Sequence, residues 1–532
     1  MDSVSQKSAR TKDQTCIVGG KSVAVLFTVG VVLAMVGGTF YPIIDRAIQD
    51  QINEKLVLNP DSTGYAAWAA PGRMPSVPIY AQFFVFNVVN FKEVKQGNKP
   101  LLEQKGPYSY REYREKQNIT WESKNSTVSY NEKTWFVFDP DTSCDKCDPF
   151  KDYVYTVNLP LITVAELTKD YKDIFKWKEL VSWLFSKFKE NLFQKRTVDE
   201  LLWGYRDPIL EFYENFTKVH RLNFLPKIDT VIALQQNNSF SGFAKVRTGF
   251  KSISQLEVWV EWKGKSEVGV WNTTYCNMIN GTDGTQFAPG MSSLDTVYVF
   301  VTQLCRSLYL TFESLVEVKG ISALKFTTPE ELFLNGTLNA NNKGFCSHRC
   351  YPSGLLDISV CQHSPIRLPL FVSAPHFYLG DPILVAAVDG LSPNAAEHAT
   401  FLKIEPHTGL PIHSAKRLQI NALIEPIKGI LETIGIPKLF LPIFYINETA
   451  KIDPTSAKLL KEKVLQPFTI VHILEFGLVC VGGVLVLVAC VFLIQVAVQN
   501  RKLSKIRQIL LAQSADEKKP LIDVKPELLY RQ

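Results

Sequence analysis

The sequence predicts a two-span membrane hairpin with both termini cytoplasmic and a large, mainly antiparallel β ectodomain between the spans. Three observations predict it: an apolar run near each end, strand-like alternation through the middle, and sequons and most cysteines confined to that middle. The 532-residue chain is otherwise globular in composition, with 46% hydrophobic and 21% charged residues and a net charge of +6. No basic block resembles a nucleic-acid arm, so nucleic acid is not an expected partner.

Residues 1–21 read as a cytoplasmic tail, followed by Ser22 to Ile44, a stretch without charge. At 1.5 Å per residue it covers a hydrocarbon core of about 30 Å. A cleaved signal peptide would be shorter and would end in an A-x-A-like site, so an uncleaved anchor is expected. The second span runs over residues 470–498, with His472 and Glu475 at its start, where polar side chains reach the interface. Lys7, Arg10, Lys12 and Lys21 precede the first span, and Arg501, Lys502, Lys505 and Arg507 follow the second. Positive flanks favour the cytoplasm, which places residues 45–469 in the lumen or outside the cell and leaves 499–532 as a short, unstructured cytoplasmic tail.

Eight N-x-S/T triplets begin at Asn118, Asn125, Asn215, Asn237, Asn272, Asn280, Asn335 and Asn447, all between the spans. One sequon arises easily by chance; eight on one side of a membrane agree with the orientation. Cys144, Cys147, Cys276, Cys305, Cys346, Cys350 and Cys361 share that region, where disulfides are the default. For Cys144 and Cys147, in "DPDTSCDKCDP", a small-loop disulfide is the expected reading. A zinc site would need a second ligand pair, and a redox pair a thioredoxin-like context. The acidic loop lacks the EF-hand glycine, so no metal is expected. Cys16 near the first span reads either as a palmitoylation site or as an inert thiol. Cys480 and Cys490 fall within the second span.

Between the spans, alternation marks strands at 78–90, 126–139, 256–264, 296–301 and 417–426, separated by turn signals such as "NGTDG" and "LSPN". This pattern suggests an antiparallel barrel or sandwich. Residues 161–216 read as helical instead. Over 172–193, a spacing of 100° per residue puts Trp177, Val181, Leu184, Phe185, Phe188 and Leu192 on one apolar face. Lys169, Lys172, Lys176 and Lys187 form a cationic stripe beside it, which by itself reads as the solvated edge of a packed helix.

Several motifs are more specific: "TVDELLWGYRDP" (197–208), "CNMINGTDG" (276–284), "LCRSLYLTFES" (304–314), "GLLDISVC" (354–361), "SAPHFYLGDP" (373–382), "EHATFLKIEPHTG" (397–409) and "AKRLQIN" (415–421). Together with the two spans, and over essentially the whole chain, they resemble the class B scavenger receptor family. The resemblance implies a β-barrel core, a helical bundle at the membrane-distal apex, and an internal hydrophobic tunnel that carries fatty acids, sterols or cholesteryl esters. It also implies ligand binding at Lys187 and Lys189, which match the family's paired apical lysines in "FSKFKENLFQKRT" (185–197). An ammonium beside apolar surface suits a fatty-acid carboxylate or an oxidised-lipid anion.

Family matching further implies Cys305–Cys361 and Cys346–Cys350 bridges, with Gly344 standing where the partner of Cys276 would be. That cysteine pattern and the tail are similar to the family's lysosomal member. With the tail in the cytoplasm, Glu517, Leu521 and Ile522 of "DEKKPLI" fit an acidic dileucine signal for clathrin adaptors, implying endosomes and lysosomes, with the plasma membrane as a second location.

Two functions follow from the resemblance. The first is a receptor and transporter of fatty acids, sterols, phospholipids or lipoproteins. The alternative is delivery of a lysosomal hydrolase such as β-glucocerebrosidase through the apical helices. The family's apical histidine is replaced by Tyr171, and no histidine lies between Leu161 and Lys218, so histidine-based release at low pH is in doubt. A homo-oligomer is compatible with either reading. No G-x-S-x-G, H-E-x-x-H or P-loop is present, so neither catalysis nor a cofactor is expected.

Overall fold

The computed structural model describes residues 20–69, 77–169, 177–219, 230–347, 349–362 and 368–516. They form two compact units: Gln49–Lys461, and the segments within 1–48 and 462–532. The main helices are α1 (Gly20–Leu56), α2 (Leu159–Leu167), α3 (Trp177–Lys187), α4 (Val198–Trp203), α5 (Pro208–Val219) and α6 (Gln466–Asp516).

The larger unit is built on one antiparallel sheet. Its strands are β1 (Ile79–Val88), β2 (Leu102–Glu122), β3 (Thr127–Phe138), β4 (Ser239–Arg247), β5 (Trp259–Trp262), β6 (Val297–Val301), β7 (Arg306–Val318), β8 (Ile321–Thr327), β9 (Leu370–Ser373), β10 (Phe401–Glu405), β11 (Leu410–Ile424) and β12 (Leu439–Lys451). They are ordered β6-β7-β8-β10-β11-β12-β1-β2-β3-β4-β5, with β9 branching from β11 and a thirteenth, two-residue strand, Leu356–Asp357, pairing with β9. β1 and β12 pair in the middle, Phe83 opposite Ile446, so the two ends of the unit's sequence meet at the centre of the sheet. Burial alternates along β1, with Ala81, Phe83 and Val85 facing the core. This is the period of two expected for a sheet with unlike faces.

The sheet curls until its edges nearly meet. The segment Gly281–Thr282 lies between edge strands β5 and β6 and bonds to both. Trp259 N–H donates to Gly281 O at 2.9 Å, Thr282 N–H to Tyr298 O at 3.2 Å, and Phe300 N–H to Thr282 O at 2.9 Å. Across this seam the Trp259 and Trp262 rings each lie 5.5 Å from the Phe300 ring. A barrel closed in this way satisfies edge groups that would otherwise recruit foreign strands.

The region expected to be helical over 161–216 is not continuous. α3 stops at Lys187, and Phe193–Thr197 pairs with Tyr153–Val157 as a two-stranded ribbon. The 100° spacing was a sound guide only as far as α3 extends: Val181 and Phe185 are buried there. Leu192 is also buried, but beyond the helix.

Among the described residues two helical stretches are long and apolar enough to cross a membrane, Lys21–Leu56 and Pro454–Gln513. Both outrun the spans read from the sequence. α6 continues to Asp516, where an unstructured tail was expected, because residues 499–516 hold strong helix formers and no Gly or Pro. Within this unit the helices approach closely. A Cβ on Gly482 would stand 2.6 Å from Gly30 O and 2.7 Å from Ala34 N, so only a glycine there allows the contact.

Candidate functional site

The helical region is fastened to the barrel by the "TVDELLWGY" stretch. Thr197 Oγ1 accepts from Glu200 N–H at 3.1 Å, and Glu200 Oε2 accepts from Thr197 N–H at 3.0 Å, a reciprocal box that starts α4. α4 ends on Trp203, whose ring packs 5.0 Å from Tyr110, 5.3 Å from Phe136 and 5.8 Å from Phe83. α5 begins at the buried Asp207, which accepts from the N–H groups of Ile209 and Leu210 at 3.0 and 3.2 Å.

α3 and α5 build an aromatic platform. Phe212 of α5 lies 5.4 Å from Phe188 and 6.0 Å from Phe216. Lys187 closes α3 with its Nζ 5.0 Å above the Trp183 ring and 5.8 Å above that of Phe212. Trp183 is 55% exposed and Phe216 43%, a large apolar offering for a surface. Lys187 makes no ion pair among the described residues. A cation over an exposed ring is held by only about 0.5–1 kcal/mol, so the ammonium remains available to an incoming anion.

The other lysines differ. Lys189 is not on the helix. It has φ +55, its N–H bonds to Ser186 O at 3.1 Å, and Glu190 N–H bonds to Phe185 O at 2.8 Å. This is a Schellman stop with lysine in the left-handed position that glycine usually fills. Lys189→Gly is therefore expected to stabilise the protein by about 1 kcal/mol while removing a charge, read as a higher unfolding midpoint. Lys169 is already committed, with Nζ 2.6 Å from both Glu166 and Glu425. Burial presses Lys169 down, but the two carboxylates outweigh it and leave it raised. Glu425, in turn held by Lys438, stays below the ordinary carboxyl value despite its burial. The expected stripe thus reduces to Lys187 within the described residues; Lys172 and Lys176 lie outside them, as do Glu517, Leu521, Ile522 and Cys16.

Trp183, Phe212 and Phe216 were missed in the sequence. The available signal was Trp183, which falls off the apolar face of α3 and so had no core role. Also missed was a buried pair, His376 and His398, with ring centroids 4.3 Å apart. His376 Nδ1 accepts from Ser392 N–H and His398 Nδ1 from Asn394 N–H. Burial, then the neighbouring His398, lowers His376 to about 4.

Cys144–Cys147 and Cys346–Cys350 are bonded. Cys305 and Cys361, the other expected pair, are neighbours in the fold whose sulfurs are not bonded in this structure, with Cys361 Sγ 3.4 Å from Leu304 O. Cys276 is a buried thiol, and a Cβ on Gly344 would stand 2.7 Å from its sulfur. Gly344→Cys is expected to close a bridge to Cys276 once Thr273, whose hydroxyl and Cβ stand 2.2 and 3.0 Å from that Cβ, shifts aside. Closing so long a loop stabilises by up to about 4 kcal/mol. Non-reducing peptide mapping and a midpoint that falls on reduction check it.

Asn118, Asn125, Asn215, Asn237 and Asn272 are exposed, while Asn280 and Asn335 are half-buried. Asn447 differs because it sits mid-sheet on β12. Its Nδ2 donates to Gln82 Oε1 at 2.9 Å and its Oδ1 accepts from Arg417 Nε at 3.2 Å.

Against known proteins, the CD36 family profile matches residues 28–493. Lysosome membrane protein 2 of Homo sapiens is 34% identical over 435 residues, 81% of this chain and 86% of that protein. The Mus musculus protein of the same name is 35% identical over 433 residues, again 81% and 86%. Scavenger receptor class B member 1 of Sus scrofa is 34% identical over 474 residues, 89% of each. With its two apolar helices and its nearly closed antiparallel barrel, the chain belongs to the CD36 family.

Proposed function

We propose that this chain is a non-enzymatic receptor that takes up anionic lipid or lipoprotein at the Lys187 platform and passes fatty acid or sterol through its ectodomain to the membrane. The observation that carries the reading is Lys187 Nζ over the Trp183 and Phe212 rings, a free cation on an exposed apolar surface. Such a pairing meets both parts of an amphiphile, the anionic head by charge and the chain by burial. The relatives named for the lysosome membrane, and the tail residues Glu517, Leu521 and Ile522, support residence in endosomes and lysosomes.

The test is binding of anionic and of neutral phospholipid vesicles to the purified full chain in detergent. Lys187→Glu is expected to weaken binding of the anionic vesicles about tenfold, which is about 1.4 kcal/mol. The loss should shrink at high salt, because exposed charges are screened over about 10 Å at 0.1 M. Neutral vesicles should be unaffected. Equal binding of anionic vesicles by wild type and variant at every salt concentration rejects the platform as the lipid site. Copurification of a lysosomal hydrolase that Lys187→Glu abolishes would favour the delivery reading instead.

A further inference from the structure

Arg306, at the start of β7, is 9% exposed and lines two adjoining cavities. One NH2 group donates to Leu332 O at 3.3 Å and Asn342 Oδ1 at 3.1 Å, while Nε has no partner among the described residues. The Phe345 ring covers one face of the guanidinium at 3.8 Å. Asn342 is fixed in turn, its amide donating to Glu331 O at 2.9 Å and Leu334 O at 2.6 Å, so its oxygen is held toward Arg306. A buried guanidinium is ordinarily matched by a carboxylate, because an uncompensated charge in the interior is costly. Burial lowers Arg306 to about 10, and the groups that oppose this are Cys276, Tyr275 and Tyr309, none of them a carboxylate.

The smaller cavity is cationic. Its wall carries Arg306, Arg349 and Arg417 against a single acid, Asp357. Asp357 is occupied by the Ser347 hydroxyl and Ser359 N–H. Arg417 is spent on Asn447 and on the carbonyls of Ala396 and Ala399, and Arg349 is exposed, lying over Tyr351. Arg306 is therefore the buried cation of this cavity left without a counter-ion among the described residues.

We propose that the Arg306 guanidinium marks a binding site for a small monovalent anion of halide size, reached from the wider cavity. Size and charge both select this class. The smaller cavity is about 90 Å³. A cavity of that size holds a few waters or a small ion and is too small for an acyl chain. One guanidinium balances one negative charge, whereas a dianion would leave excess buried charge. Guanidinium is weakly hydrated, which suits partial desolvation of both ions. The wider cavity, about 830 Å³, shares Arg306, Leu332, Asn342 and Phe345 and is flanked by the exposed Tyr275 and Tyr298, which opens it to solvent.

The experiment follows thermal unfolding of the full chain in detergent while chloride replaces gluconate at constant ionic strength. Ligand that binds the folded state raises the midpoint with concentration. The midpoint should climb with chloride and with bromide, and Arg306→Met should abolish the climb. Crystals soaked in bromide should show an anomalous peak within hydrogen-bond distance of the Arg306 guanidinium. A midpoint indifferent to the anion, or one that responds equally in Arg306→Met, would overturn the proposal and leave the cavity to water. Should Arg306→Met fail to fold, the bromide peak in the wild type decides, and its absence overturns the site.

Discussion

Replacing Arg114 by alanine is expected to destabilise the protein by about 3–5 kcal/mol at neutral pH, the cost of breaking a buried ion pair from one side. Arg114 Nε lies 2.6 Å from Glu112 on its own strand and its NH2 lies 2.8 Å from Glu448 on β12, which Lys416 of β11 also contacts. Glu112 is 4% exposed and Glu448 16%, so neither carboxylate can turn to water when the guanidinium goes. The cluster ties β2 to β12, strands that flank β1, and so it locks the middle of the sheet.

The pH dependence has a definite sign. Burial raises Glu112, with Arg114 the largest force against it. Burial also presses Glu448 upward, but Lys416 and Arg114 outweigh it and hold it low. Without Arg114, Glu112 rises further above its unfolded value and Glu448 keeps only Lys416 to hold it down, a penalty present at neutral pH and relieved as pH falls through the raised values. In the wild type the depressed Glu448 contributes stability above its unfolded value near 4.5, and this is lost as pH falls through its folded value. The two curves should therefore converge on acidification. Denaturant unfolding of both proteins at pH 7 and pH 5 measures the gap. A gap that widens at pH 5, or is below about 1 kcal/mol at pH 7, would contradict this account.

The parts of the molecule most legible in the sequence were those governed by local period. The strand runs at 78–90, 126–139 and 296–301 coincide with β1, β3 and β6 within a residue or two, because alternation along a half-buried strand is written directly in the chain. The end of α3 was not legible. Its stop depends on Lys189 adopting φ +55, a conformation that sequence assigns to glycine. Nor was the ribbon of Tyr153–Val157 with Phe193–Thr197, since pairing across the intervening α2 and α3 leaves no local mark.

The candidate site divides in the same way. Lys187 could be singled out from its neighbours on a helical face, but Phe212 reaches it from another helix. Lys169 looked equivalent until Glu425, distant in sequence, claimed it. Arg306 was legible only as a letter in "LCRSLYLTFES". Its burial and its missing counter-ion exist only once Leu332, Asn342 and Phe345 have folded around it.

Gly281→Val is expected to open the barrel seam, at a cost well above about 3 kcal/mol, more than either a backbone or a packing penalty alone. Gly281 has φ +86, which a β-branched residue resists, and its added Cβ would stand 1.9 Å from Tyr298 O and 2.2 Å from Tyr298 C. Those atoms belong to the backbone of β6 and cannot rotate away, so the strand or the segment must move. Movement in either direction breaks the Trp259-to-Gly281 bond or the Thr282-to-Tyr298 and Phe300-to-Thr282 bonds, leaving β5 and β6 as open edges. Gly264→Ala separates the two penalties. Its φ is +74 but nothing lies within 4 Å of its Cβ, so it should cost only about 1 kcal/mol. Thermal unfolding of both variants and amide exchange at Trp259 and Phe300 give the comparison. Early loss of protection at those two amides, with a midpoint far below that of Gly264→Ala, is the expected result. Equal midpoints for the two variants would mean that the Gly281–Thr282 segment does not hold the barrel shut.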